Sequence, residues 1–66
     1  MTVLVNGRPV DGPSTVAQAV AAVLGAPART GIAVAVNGEV VPRSSWPDHP
    51  LWDGDAVEIL TAAQGG

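Results

Sequence analysis

Asn-Gly occurs twice in this chain, at Asn6-Gly7 and at Asn37-Gly38. Each pair sits between short apolar runs rich in β-branched residues. The dipeptide suits a two-residue type I′ turn, whose central residues both need positive φ. Thr2 to Asn6 therefore reads as a strand, and Arg8 to Asp11 as its short return. Pro9 puts that return strand at a sheet edge, because proline has no amide to give to a ladder. Gly31 to Asn37 and Glu39 to Val41 repeat the pattern, and Pro42 ends the second hairpin. Ile32, Val34 and Val36 share one face of their strand, with Ala33 and Ala35 on the other. A face of alanines permits close approach by a helix or by a partner.

Between the hairpins the period changes. Gly12-Pro13-Ser14 breaks the strand, and Thr15 stands three residues before Gln18 in a capping-box pattern. Val16, Ala19, Val20, Val23 and Leu24 follow at helical spacing. Gly25 is placed to end the helix in a left-handed conformation, and Pro27 prevents its continuation. The spacing predicts a helix over 16–24 with Val20 and Leu24 buried. On that reading Leu24→Ala costs roughly 2–5 kcal/mol. Arg43 to Trp52, with Pro47 and Pro50, reads as irregular. Trp46 is expected against the sheet edge and Trp52 in solvent. Asp53-Gly54-Asp55 reads as a turn whose carboxylates bond nearby amides. Ala56 to Ala62 is the last strand, with Val57, Ile59 and Thr61 alternating against Glu58 and Leu60.

Hairpin, helix, hairpin, strand leaves one helix to cover one face of one sheet. The last strand inserts most easily beside the first and parallel to it, with the hairpins outside. That is an α+β arrangement of about five strands in one mixed sheet, the β-grasp or ubiquitin-like fold. The chain has 66 residues, and Ala and Val (eleven each) dominate its apolar content, with no Phe or Tyr. The core must therefore be small-grained. Residues 1–62 form the domain, and residues 63–66 are expected to be a mobile tail. The sheet face away from the helix has nothing to cover it, so apolar residues there form a candidate docking patch.

Few chemistries fit these residues. There is no cysteine, hence no disulfide, thiolate metal site or thiol nucleophile. His49 is the single histidine, between Asp48 and Pro50, and reads as a solvated surface residue. Asp53 and Asp55 lack the further ligands of a calcium loop. Ser14, Ser44 and Ser45 stand in no nucleophile elbow. No catalytic residue, bound cofactor or metal site is expected. The net charge is −3, with three arginines and no lysine. No basic patch is available to displace counterions from phosphate. An electrophoretic shift assay with tRNA at physiological salt is expected to show no complex. The N-terminus is not a signal peptide and no run approaches the ~20 apolar residues of a membrane span. The expectation is a cytoplasmic domain, monomeric when free.

The remaining feature is the end of the sequence, Gly65-Gly66. A carboxylate that must reach ATP through a narrow enzyme channel needs small, conformationally free residues behind it. The chain resembles the ThiS family, the sulfur carrier proteins of thiamine biosynthesis. The resemblance rests on Ala33-Val34-Ala35-Val36-Asn37-Gly38-Glu39-Val40-Val41-Pro42-Arg43, then Trp46, Asp53-Gly54-Asp55 and Gly65-Gly66. It implies a protein co-substrate rather than an enzyme. A ThiF-like adenylyltransferase using Mg·ATP would activate the Gly66 carboxylate. Sulfur from a donor enzyme would then convert Gly66 to a thiocarboxylate, for delivery to a ThiG-like thiazole synthase. Gly65 and Gln64 would be the tail residues that activation requires. The tail Ala62-Ala63-Gln64 is smaller and less apolar than the family leads one to expect. The absence of lysine excludes ubiquitin-style chains linked through lysine of its own kind. Two other readings share the β-grasp frame. One is a sulfur carrier for a molybdopterin-type pathway. The other is a TGS-like RNA-associated module, which also tends to carry hairpins like Val36 to Pro42 and strands like Asp53 to Ile59.

Overall fold

The computed structural model describes residues 1–25 and 31–61. Strands β1 (Thr2–Val5) and β2 (Arg8–Asp11) form the first hairpin. Helix α1 (Val16–Leu24) follows, then the second hairpin, β3 (Ile32–Val36) and β4 (Glu39–Val41). A 3₁₀ segment, Arg43–Asp48, leads toward β5 (Ala56–Thr61). The sheet order is β2-β1-β5-β3-β4. β5 lies between the hairpins, parallel to β1 and antiparallel to β3. This is the β-grasp topology, with proline-bearing β2 at an edge as expected.

Both turns have the backbone that Asn-Gly implies. Asn6 and Asn37 each have φ of 51°, and Gly7 and Gly38 have φ of 82° and 87°. Thr15 caps α1, its Oγ1 accepting the Gln18 amide at 3.2 Å. The return half of the capping box is displaced. Gln18 Oε1 accepts the amide of Ser14, at 2.7 Å, rather than that of Thr15. Thr15 is extended (φ −136°, ψ 163°) and bridges Pro50, which leaves the Ser14 amide within Gln18's reach.

The core is built from small β-branched side chains, as the composition requires. Val3, Val5, Val34, Val36, Val41, Val57 and Ile59 from the sheet meet Val16, Ala19 and Val20 from α1, with Trp46 and Leu51 closing one side. The helical stripe is buried only in part. Val23 is 43% exposed and Leu24 is 38% exposed, so the expected burial of Leu24 is not observed. The reason is an unequal set of neighbours. The start of α1 is held by the chain after the 3₁₀ segment, through Val16 N–H to His49 O at 3.0 Å and Leu51 N–H to Ser14 O at 2.9 Å. Its last turn borders an open cleft toward the first hairpin, where Ala22 and Val23 stand across from Val5, Pro9 and Val10. Val20→Ala is accordingly expected to cost roughly 2–3 kcal/mol, for two buried carbon groups and the cavity they leave. Leu24→Ala should cost about 1 kcal/mol or less. Urea unfolding of the two variants measures the contrast.

The segment expected to be irregular contains the 3₁₀ turns of Arg43–Asp48, with Pro47 inside. A short 3₁₀ piece has no apolar period to announce it. It is fixed by bonds to its surroundings: Ser45 N–H to Pro42 O at 2.9 Å, and the Trp46 indole N–H to Val41 O at 2.9 Å. No helix among the described residues is long and apolar enough to cross a membrane.

Candidate functional site

Gln64, Gly65 and Gly66 lie outside the described residues, as does Ala62. What the structure describes is the platform from which they follow. β5 ends at Thr61, and five residues of sequence remain after it. Covalent geometry limits their reach to about 17 Å, at roughly 3.3–3.6 Å per extended residue.

β5 is anchored on both flanks by the two turn asparagines. β1 pairs with β5 through Leu4↔Ala56 and Val5↔Val57. Asn6 then turns away, but its side chain continues the ladder. Its Oδ1 accepts Ile59 N–H at 2.8 Å, and its Nδ2 donates to Ile59 O at 3.0 Å. Asn37 works at the other end, where its Oδ1 accepts Ala56 N–H at 3.0 Å. Its Nδ2 donates to Asp55 Oδ1, also at 3.0 Å. Sequence reasoning reads these asparagines only for their turn conformation. The signal it passes over is that both turns carry Asn, whose amide can give and accept at once, where Asp or Gly also meets the φ requirement.

The Asp53-Gly54-Asp55 turn starts β5. Gly54 has φ of 87°. Asp53 Oδ1 accepts Thr2 N–H, and Asp55 Oδ2 accepts Trp52 N–H, both at 2.8 Å. The Trp52 amide, and next the Asn37 amide, hold the Asp55 carboxyl below its ordinary value of 3.8. A lowered folded value means stability present above that ordinary value and lost as pH falls through the folded one. Asp55→Asn should therefore lower the melting temperature at neutral pH. The gap from the unmodified chain should narrow as pH falls below 3.8, which melts across that range would record.

The other singled-out residues fall apart in space rather than together. His49 follows the 3₁₀ segment, with Nδ1 3.2 Å from the carbonyl oxygen of Pro50. No cluster of three or more His, Asp or Glu residues able to hold a metal is found among the described residues. Trp46 is buried against the sheet, 5.7 Å from the Arg43 guanidinium, whereas Trp52 is 68% exposed.

The face of the sheet away from α1 is apolar. Val3, Val5, Val57 and Ile59 point into the core, so their neighbours along β1 and β5 point outward. Leu4, Ala56 and Leu60 occupy it with Glu58 among them, flanked by Ala33 and Ala35 of β3 and Val40 of β4. Val40, Leu60 and Leu4 are 78%, 67% and 41% exposed. The alanine face of β3 is thus the open one, and α1 packs against the valine face.

The ThiS family model matches residues 1–66, the whole length. The chain belongs to the ThiS family. The Sulfur carrier protein ThiS of Escherichia coli (strain K12) is 37% identical over 38 residues, 58% of each chain. The Sulfur carrier protein ThiS of Thermus thermophilus is 47% identical over 36 residues, 54% of this chain and 56% of that protein. The matched stretches thus span somewhat over half the length of these curated relatives. Among solved structures, the crystal structure of the thiamine biosynthesis protein ThiS from Geobacter metallireducens is similar along 100% of both chains. The TM-score is 0.69 and the identity 35%. The solution structure of a thiamine biosynthesis protein from the same organism gives a TM-score of 0.70, again at 35% identity. It covers 100% of this chain and 88% of that one. These ThiS-family neighbours agree with the β-grasp topology of the five strands and one main helix.

Proposed function

We propose that this chain is a sulfur carrier of thiamine biosynthesis, and that the Gly66 carboxylate is its reactive group. The observation that carries the reading is the ThiS family match over residues 1–66, which includes Gly65-Gly66. The chain is a protein co-substrate. A ThiF-like adenylyltransferase joins the carboxylate to AMP from Mg·ATP, releasing pyrophosphate. Hydrosulfide delivered by a donor enzyme attacks the acyl carbon and displaces AMP, and the resulting Gly66 thiocarboxylate passes its sulfur to a ThiG-like thiazole synthase. The chain itself needs no bound cofactor for this.

Each part of the chain has a physical task in that scheme. Gly65 and Gly66 present no side chain to the walls of the activating channel, and glycine meets any φ the channel imposes. Gln64 and the residues before it give reach. β5, pinned by Asn6 and Asn37, fixes where the tail leaves the sheet. The apolar face around Leu4, Val40 and Leu60, continuous with β5, is the surface the activating enzyme covers. Its exposed side chains supply the desolvation that drives docking.

The test is isotope exchange. The adenylating step is reversible, so the enzyme should exchange labelled pyrophosphate into ATP when this chain is added. Exchange that does not depend on the chain, or is absent with it, contradicts the reading. Chemical-shift changes on adding the enzyme should map to the open sheet face, and changes confined to α1 would contradict the docking surface.

A further inference from the structure

At the middle of this apolar face stands one carboxylate. Glu58 is the central outward-facing residue of β5, itself the central strand. In register it lies beside Ala35, which in turn faces Val40. Ala56 and Leu60 flank it along its own strand. Asp11, outward on edge strand β2, is engaged by the Met1 amine at 3.4 Å. Glu58 has no such partner among the described residues. Arg8 is turned away by the register, since it pairs with Val5, a core residue.

In the free chain water solvates this carboxylate. Covering the face removes that water, and burying an ion without a counter-charge is strongly unfavourable. An isologous pair of copies would bring two Glu58 carboxylates together near the symmetry axis, where like charges repel. The face is therefore suited to a different protein, one that brings a cation. We propose that the activating enzyme presents a lysine or arginine side chain to Glu58. This contact would make Glu58 a specificity residue: it selects the enzyme surface whose charge matches. The inference rests on the sulfur-carrier reading and on the docking face given above, and adds the chemistry that face demands of its partner.

The test compares the unmodified chain with Glu58→Gln, Glu58→Leu and Glu58→Arg, using the ThiF-like enzyme of the same organism. Calorimetric Kd and the KM and kcat of pyrophosphate exchange are the readouts. Glu58 is exposed, and circular dichroism should show all four chains folded alike. Glu58→Gln and Glu58→Leu should each weaken binding roughly thirtyfold or more, because they strand the enzyme's cation in a covered interface. KM should rise and kcat should hold, because Gly66 is untouched. Glu58→Arg should weaken binding further. The Leu variant decides the matter. If Glu58 were merely tolerated on a greasy face, its replacement by leucine would tighten binding or leave it unchanged, and that result overturns the inference. A dimer of the unmodified chain by sedimentation, buried through this face, overturns it as well. If the unmodified chain supports exchange but the variants match it, only the Glu58 contact falls. If the unmodified chain supports none, the sulfur-carrier reading falls with it.

Discussion

Deleting Gly66 abolishes adenylation by the ThiF-like enzyme and leaves the fold and its melting temperature unchanged. Both halves of this expected result follow from where the chemistry and the core sit. On the proposed reading the reacting carboxylate belongs to Gly66, so its removal withdraws the group to be activated one residue down the channel. Among the described residues the buried core runs from Val3 to Ile59, and a glycine removes no side chain. Residues appended after Gly66 should have the same effect, since they convert the carboxylate to an amide. Gly65→Val should also fail. A β-branched side chain adds width where the channel is narrow and restricts the backbone angles available to the tail. Exchange kinetics and thermal melts, run side by side on each variant, check activation and fold separately.

Trp46→Ala unfolds most of the population at physiological temperature. Trp46 is the largest side chain in the core and is 4% exposed. Its removal leaves a cavity where the 3₁₀ segment meets the sheet and deletes the bond from its indole to Val41 O. Large aromatic truncations in a core cost about 3–5 kcal/mol. Domains are stable by roughly 0.05–0.15 kcal/mol per residue, so the loss rivals the whole stability of a chain this short. Trp46→Phe keeps much of the packing and should fall between the two. Far-ultraviolet circular dichroism with urea titration measures the series. A Trp46→Ala chain that melts within a few degrees of the unmodified one would show that the indole is not part of the core.

The legible parts of this fold were those set by local rules. Asn-Gly fixed both turns, Gly25 and Thr15 fixed the ends of α1, and Pro9 fixed the edge strand, because each acts within a few residues of itself. The strand order was legible because one helix and five short strands leave few topologies. What escaped depends on contacts distant in sequence. Leu24 shares the helical period of Val20 yet stays exposed, and no periodicity tells how far a core extends along a helix. The 3₁₀ turns around Trp46 are the exception, held by near bonds to Pro42 and Val41, and escaped because so short a piece has no apolar period. The Asn6 clamp on Ile59 spans 53 residues of sequence, and the register alone brings the two together. Glu58 reads locally as one polar residue in an alternating strand. Only the pairing with Ala35, and of Ala35 with Val40, shows apolar side chains beside it on the β3–β4 side. The proposed reactive terminus shows the reverse: Gly65-Gly66 is plain in the sequence and lies outside the described residues.

The most direct measurement of the central claim is the mass of the C-terminal peptide. The purified chain is incubated with the ThiF-like enzyme, Mg·ATP, and a sulfur donor enzyme with its sulfur substrate and a thiol reductant, then digested and analysed by mass spectrometry. The Escherichia coli Sulfur carrier protein ThiS, treated with its own enzymes, serves as the control for sulfur supply. The account predicts that the peptide ending in Gly66 gains the difference between one sulfur and one oxygen, and that the gain disappears when ATP is omitted. A C-terminal peptide of unchanged mass, beside a control that has taken up sulfur, would contradict it.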